Sequence, residues 1–572
     1  MNMRVLGVCA AVVAGMVAGA GAGVVSADPD GGGSVAAALH GLAEFERGAT
    51  SAEADAVLDA LGDSPIVSIG SIGDSVEGRP IRIGVIADPP VAFDVGGPEK
   101  GEIGDRLVVL LFGSIHAGEL CGTDALLRLM HDIIGDRRDG RDMRPLLEDL
   151  VICVVPVYNV DGHAKFAASN RPGQNGPAAV GERANAQGLD LNRDWVKMDA
   201  PETRAMVGFL NAWDPAVIVD THTTNGSNHR FTLTYQGPKH PAGDAEVIAY
   251  VRDEMLPKVD AAFEAATGYK SYFYGNFAEH HTKWTTYPAE PWYGAAYRGI
   301  RNRLTVLTEA YAYASFEDRV LSTQAFCEQV LRYAAAQKDE IRALVDAADA
   351  RTIAAGKSGA PIAVKTEARA FAEPATILGY DEPVESGAHS ARAKIDFETA
   401  EKKDYEIPIF NDFVATEVVR RGEVYAVLPW ATEVIDRLIA HGIEVWYLQE
   451  LTAVPGGDCY LVDAKTVSER KWEGRRRVEL EVQSVPAGGT FREGTVFVRT
   501  DQPLGSLAAY LLEPRATGGL ASWDVFGDTL RRGQIHPAMR YSLEEIQALS
   551  LERTSPEDSR TPTSEIRPEA PE

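Results

Sequence analysis

His116 and Glu119, three residues apart in Gly113-Ser114-Ile115-His116-Ala117-Gly118-Glu119-Leu120-Cys121-Gly122, have the types and spacing that suit metal chemistry. The apolar run Leu107 to Phe112 reads as a buried strand, and Leu120 to Ile134 carries apolar residues at helical spacing (Leu126, Leu127, Met130, Ile133, Ile134). The pair therefore falls where a strand gives way to a helix, with imidazole and carboxylate on one face. Zinc accepts both donors, and a catalytic zinc site needs a third protein ligand and an open position. Such a spacing also arises by chance, and the chain repeats it in His441-Gly442-Ile443-Glu444. There an amphipathic helix (Val434, Ile435, Leu438, Ile439) runs into Gly442, which reads as a helix C-terminal cap, and then into the strand-like Ile443 to Leu448. The second pair is structural on this reading, and only partners elsewhere can raise the first above it.

Those partners emerge from the elements. Between residues 60 and 350 strand-like and helix-like segments alternate, with helices at Pro201 to Trp213, Ala245 to Ala266 and within Glu317 to Ala350. The fold class expected is α/β, a mixed, largely parallel sheet flanked by helices, followed by a smaller β-rich domain. Ligands of such sheets gather at the carboxyl ends of the strands. After Leu150–Val155 comes Pro156 to Gly162, including Asn159 and Asp161. After Ala216–Val219 come Asp220, Thr221 and His222, and after Leu304–Leu307 come Thr308 and Glu309. His116, Glu119, His222 and Glu309 thus fall on one rim of one sheet.

The chain has 572 residues and a formal net charge of −27. That length holds two or three domains, and the acidic balance argues against nucleic acid or an anionic membrane as partner. Arg4, the apolar run Val5 to Val25 and Val25-Ser26-Ala27 read as a signal peptide over residues 1–27, cut after Ala27. An exported protein follows, periplasmic or extracellular, with no membrane association after signal removal; the alternative is an uncleaved anchor. Cys121, Cys153, Cys327 and Cys459 are too few for a disulfide scaffold and read as buried thiols. Residues 28–350 form the expected catalytic domain. A linker at Gly356 to Pro361 leads to a β-rich accessory domain over 360–550 without a catalytic constellation, and then to a disordered tail over 551–572.

The ordered pieces resemble the zinc metallocarboxypeptidases of the carboxypeptidase A type over about residues 60–350. They are Ser75-Val76-Glu77-Gly78-Arg79-Pro80-Ile81, His116-Ala117-Gly118-Glu119, Asn159-Val160-Asp161-Gly162, Gly188 to Trp195 with Asp190-Leu191-Asn192-Arg193, Asp220-Thr221-His222, and Leu304 to Glu309. The resemblance implies one Zn²⁺ per catalytic domain, held by His116, Glu119 and His222 as in the His₂Glu sites of that family. It further implies Glu309 as general base, Arg171 as the cation offsetting negative charge on the scissile oxygen, and Asn192 with Arg193 as the clamp for a terminal carboxylate. Asp190 takes the second ring N–H of His116, and Tyr287 or Tyr297 supplies the substrate-site hydroxyl, with Tyr293 a further choice. Gly118 departs from the family, which often has arginine there, and Val160 stands where proline is usual. His280-His281 reads as a strand pair pointing to opposite faces, unsuited to joint ligation.

The leading function is a secreted zinc carboxypeptidase acting on peptide or protein C-termini. One alternative is a zinc amidase acting on cell-wall γ-glutamyl or diamino-acid peptides, or on N-acyl amino acids. The other is a non-catalytic, metal-retaining binding protein whose β-rich domain is the working part.

Overall fold

The computed structural model describes residues 45–135, 142–382 and 395–553. The expected signal peptide and residues 554–572 lie outside them. Helix α1 (Ser51–Leu61) begins at a capping box in which Thr50 and Glu53 satisfy each other's backbone N–H.

The sheet that carries the expected site contains β1 (Val67–Asp74), β2 (Pro80–Ile86), β3 (Leu107–Gly113), β4 (Leu150–Val155), β5 (Val217–Thr224), β6 (Leu233–Gln236), β7 (Ser271–Phe273) and, further on, Leu304–Tyr311. Two short strands, β8 (Asn276–Ala278) and β9 (Lys283–Thr285), intervene, so Leu304–Tyr311 is β10. The spatial order is β1-β2-β4-β3-β5-β10-β6-β7. The central pairs β4/β3, β3/β5 and β5/β10 are parallel, while β1/β2, β2/β4 and β10/β6 are antiparallel. Every residue of β3 and β4 is buried, the signature of strands covered on both faces. Helices α2 (Cys121–Ile134), α3 (Pro201–Trp213), α4 (Leu256–Thr267, continuing a helical run from Ala245), α5 (Gly294–Ile300), α6 (Phe316–Ala336) and α7 (Lys338–Lys357) belong to this lobe. Strands β5 and β10 run four residues or more past their expected ends, so His222 and Glu309 sit within them, and the register sets these two residues side by side.

Past Lys357 the chain turns β-rich, as the composition implies. The strands are β11 (Pro361–Ala370), β12 (Ala375–Tyr380), β13 (Lys402–Ile407), β14 (Ile409–Arg420), β15 (Val424–Val427), β16 (Trp446–Leu448), β17 (Thr452–Val454), β18 (Asp458–Trp472), β19 (Arg475–Pro486), β20 (Gly489–Phe491), β21 (Val496–Arg499), β22 (Ala538–Tyr541) and β23 (Leu551–Arg553). Helix α8 (Thr432–Ala440) lies among them. The last strand takes the first three residues of the expected tail, pairing Leu551–Arg553 with β16.

The two lobes are joined more closely than a linker suggests. Strand β14 pairs with β9 of the first lobe, giving a shared sheet β11-β14-β9-β8, and one continuous apolar core includes Val217, Tyr297, Val434 and Leu507. His280 and His281 are not on a strand: they occupy the β8–β9 turn with φ of 60° and 63°. His281 stacks on Tyr405 and lies 3.6 Å from Glu382.

Candidate metal centre and active site

The site begins where β3 ends. Ser114 takes a left-handed φ of 54° and its hydroxyl shares a 2.8 Å hydrogen bond with that of Thr123, which folds residues 114–120 over the strand end. His116 and Glu119 are thereby presented inward, both buried. The segment also needs small residues. A Cβ on Gly118 would lie 2.8 Å from the Gly181 carbonyl oxygen and 2.9 Å from Arg171 Cγ. Arginine is therefore excluded at 118 because the 171 side chain and the 181 backbone already fill its space.

Three donor groups converge. His116 Nδ1 lies 3.0 Å from Glu119 Oε1, and His222 Nδ1 lies 3.3 Å from His116 Nδ1 and 3.1 Å from Glu119 Oε2. One donor atom from each lies within 4.8 Å of the others. The opposite nitrogens face carboxylates: His116 Nε2 is 3.0 Å from Asp190 Oδ1, and His222 Nε2 is 3.0 Å from Asp220 Oδ1. This is the arrangement in which a metal-binding histidine is oriented by an outer carboxylate, and two imidazoles with one carboxylate match a zinc donor set. Glu119 Oε2 also accepts from the Thr223 backbone N–H at 2.9 Å. Burial works against the Glu119 charge, but His116, Arg171 and His222 outweigh it and hold the carboxyl well below its usual range. For His222, burial is outweighed by Asp220 and Glu119, and its pKa rises.

Glu309 flanks this cluster on β10. Burial first, and then the Glu119 charge, push its carboxyl up to about 8, against the lowering effect of His222, Arg183 and Arg171. Its Oε2 has no protein hydrogen-bond partner among the described residues. A half-buried glutamate whose enclosed Oε2 atom lacks a protein partner, beside a metal donor set, is placed to exchange protons with a bound water or substrate.

Two guanidinium groups border the cluster. Arg171 contacts Glu119 Oε1 directly. Arg183, which none of the motifs singles out, lies 3.8 Å from the same oxygen and grips Asp190 Oδ2 through Nε at 3.1 Å and Nη2 at 2.7 Å. Its place is set by the Asn159–Gly162 turn. Asn159 Nδ2 donates to the Arg183 carbonyl at 3.1 Å, and a Cβ on Gly162 would lie 2.5 Å from the Glu182 carbonyl oxygen. Asp161 does not reach the cluster; it ties the β1–β2 turn by accepting from Ser75 Oγ at 2.8 Å, the Glu77 N–H at 3.0 Å and Arg79 at 2.6 Å. The position of Arg183, seven residues before Asp190, is a usable signal: a further charged residue ahead of the Asp190-Leu191-Asn192-Arg193 block.

Asn192 and Arg193 follow Asp190 in a single 3₁₀ turn. Asn192 Oδ1 accepts from the Gly294 N–H at 2.9 Å, and Arg193 lies over the Tyr293 ring at 4.3 Å. Tyr293 packs on Tyr287, ring centroids 4.8 Å apart. The Tyr287 hydroxyl is buried without a protein partner among the described residues, and burial, then the Glu309 charge, push its pKa up. Tyr297 departs from expectation. Its hydroxyl lies 2.8 Å from His441 Nδ1 of the second lobe and accepts from Arg301 at 3.3 Å, and its ring packs on Trp195. It is a core residue fixed by a partner 144 positions away, which no local pattern discloses.

The chain is similar to known proteins over part of its length. Residues 55–312 match the family model described as zinc carboxypeptidase. Rat carboxypeptidase D is 29% identical over 218 residues, which cover 34% of this chain and 16% of the relative. The human carboxypeptidase N catalytic chain is 27% identical over 185 residues, covering 27% of this chain and 38% of the relative. This chain thus spans well under half the length of either. Among solved structures, a metallo-carboxypeptidase from Burkholderia cenocepacia is 18% identical with a TM-score of 0.38, covering 50% of this chain and 70% of that one.

Proposed function

We propose, from the premise that residues 55–312 belong to the zinc carboxypeptidase family, that the protein is a zinc-dependent hydrolase removing C-terminal residues from peptides or proteins. The observation carrying this reading is the His116, Glu119 and His222 donor set with Glu309 beside it, half-buried and with its Oε2 atom unpartnered by protein. A zinc ion held by these three residues supplies Lewis acidity, activating water and polarising the scissile carbonyl.

The remaining work falls to the chain's own groups. Glu309 takes a proton from water and passes it to the leaving amine. Ionised, it is ready to do so once a cation beside it offsets the burial that holds its proton. Arg171 and Arg183 offset negative charge on the scissile oxygen. Asn192 and Arg193 bind the terminal carboxylate, with the Arg193 guanidinium suited to a bidentate contact. Tyr287 and Tyr293 form the aromatic side of this subsite. Asp190 and Asp220 hold the two imidazoles with their Nδ1 atoms toward the metal. The protein acts after export, freed of residues 1–27 by cleavage after Ala27.

The test is zinc analysis of the purified protein with a panel of peptides carrying free or amidated C-termini. One bound zinc per chain, with release of terminal amino acids from the free peptides only, is the expected result. Cleavage confined to γ-glutamyl or diamino-acid wall peptides, or to N-acyl amino acids, would replace the substrate class, and zinc binding with no hydrolysis of any of them would sink the enzymatic reading.

A further inference from the structure

Glu473 belongs to the second lobe yet reaches the site. It sits with Gly474 at the tip of the β18–β19 hairpin, where Trp472 pairs with Arg475 and the two tip residues have φ of 49° and 81°. Such two-residue turns favour Asn-Gly or Asp-Gly, because both central residues are left-handed. A glutamate there is held by an external contact: its Oε2 accepts from the Asp190 backbone N–H at 2.8 Å. Two residues on, Arg475 donates to both oxygens of Asp199, through Nε at 2.7 Å and Nη2 at 2.6 Å. The hairpin thus grips the first-lobe segment 190–199 at both ends. Between the grips lie Asn192 and Arg193, in a stretch whose own regular structure is a single 3₁₀ turn. The segment's own backbone bonds, from Arg193 N–H to the Asp190 carbonyl, Asp194 N–H to that of Leu191 and Met198 N–H to that of Asp194, leave the Asp190 N–H to Glu473. Gly474 lies close against this segment too, since a Cβ there would meet Leu189 Cδ2 at 3.1 Å.

We infer that Glu473 is a positioning residue of the metal site, supplied by the second lobe: its hydrogen bond to the Asp190 N–H fixes the carboxylate that orients His116 and Arg183. This rests on the functional reading above. It gives the β-rich lobe a task in the active site.

Its test uses the full chain in three forms, wild type, Glu473→Asn and Glu473→Gln, with release of Zn²⁺ to a chromogenic chelator followed beside peptide hydrolysis. Asparagine suits the turn better than glutamate, so the hairpin keeps its fold, but its side chain is too short to reach Asp190. Glutamine keeps the acceptor oxygen and loses only the charge. Removal of a residue that orients a metal ligand costs about 10- to 100-fold in metal affinity or activity; one contact further out, release from E473N is expected to be about three- to tenfold faster, with kcat/KM lowered to match, and E473Q close to wild type. Release from E473N at the wild-type rate, or from E473Q as fast as from E473N, would overturn the inference. If zinc release follows the expected order while no form hydrolyses any peptide, the carboxypeptidase reading fails and the positioning role stands.

Discussion

The chain contains the same short pattern twice, and the two copies have opposite fates. His116 and Glu119 meet His222 from another strand, and each imidazole keeps its Nδ1 atom toward the shared centre with a carboxylate behind its second nitrogen. In the other copy, His441 is saturated by neutral partners: Nδ1 lies 2.8 Å from the Tyr297 hydroxyl and Nε2 lies 3.0 Å from the Val196 carbonyl oxygen. Glu444 turns away to Arg553. Gly442, with φ of 83°, turns the chain just past the end of α8 and separates the two side chains. Spacing alone makes no site; what counts is whether each donor atom is left free by its other neighbours.

The sharpest way to break this comparison is to remove one histidine from each copy. His222→Ala deletes a third of the donor set, and zinc per chain, measured by elemental analysis after dialysis, should fall from about one to near zero with hydrolysis lost. His441→Ala should keep its zinc. Next in size is Glu309→Gln. A positioned general base contributes about 10²- to 10⁴-fold, so kcat should drop within that range while zinc is retained; a variant of undiminished kcat would remove Glu309 from the chemistry. The two arginines come third. Arg183 serves both Asp190 and the neighbourhood of Glu119, whereas the Arg171 guanidinium contacts Glu119. Arg183→Ala should therefore lower kcat/KM by more than Arg171→Ala, by about tenfold or greater, and steady-state kinetics on one peptide decide it.

How far this contrast can be read from the sequence follows from the same physics. His116, Glu119, His222 and Glu309 are legible because each follows, or lies late in, an apolar run whose burial on both faces marks it as a central parallel strand, and such strands end at one rim. The Gly442 cap is legible because helix ends have local chemistry. The His280-His281 turn is displaced locally, by left-handed backbone; the other displacements of the site involve partners distant along the chain. Tyr297 has the type and place of a substrate-site residue, and its hydroxyl is taken up by Arg301 and by His441 on the other lobe. Arg183 has only its place ahead of the Asp190 block as a local signal, because its placement depends on the Asn159 side chain and on backbone contact at Gly162. The second lobe reads as a separate unit because neither the β9–β14 pairing nor the reach of Glu473 leaves a local mark on either segment.

A smaller effect separates the copies in stability. With His441 truncated to alanine, the Tyr297 hydroxyl and the Val196 carbonyl lose a partner in a fully buried place. Leaving buried polar groups unpaired costs about 1–3 kcal/mol, so His441→Ala should lower the urea midpoint by a corresponding amount while activity per bound zinc stays within about twofold. Equal stability with lost zinc would reverse the assignment of the two copies.

The last expected effect is a pH signature, of opposite sign in the two regions. In the metal-free protein the Glu309 carboxyl is raised to about 8, above the ~4.3 of an unfolded glutamate. Between these values the folded chain holds a proton that the unfolded chain has released, so this group's contribution to stability falls as pH rises. His441 is lowered to about 3 by burial, below the ~6.5 of an unfolded histidine. In that window the unfolded chain binds the extra proton, and stability falls as pH drops. Asp124, raised to about 7 by burial, has the same sign as Glu309 but is common to all variants, so differences between variants cancel it. Chelated wild type should thus lose stability relative to chelated Glu309→Gln from about pH 5 to about pH 8. Relative to His441→Gln it should lose stability from about pH 6 downward. Zinc should shrink the first difference, because a divalent cation beside Glu309 favours its ionised form, and should leave the second unchanged. Parallel melting curves for chelated wild type and Glu309→Gln across that range would mean that neither desolvation nor the Glu119 charge raises the Glu309 carboxyl.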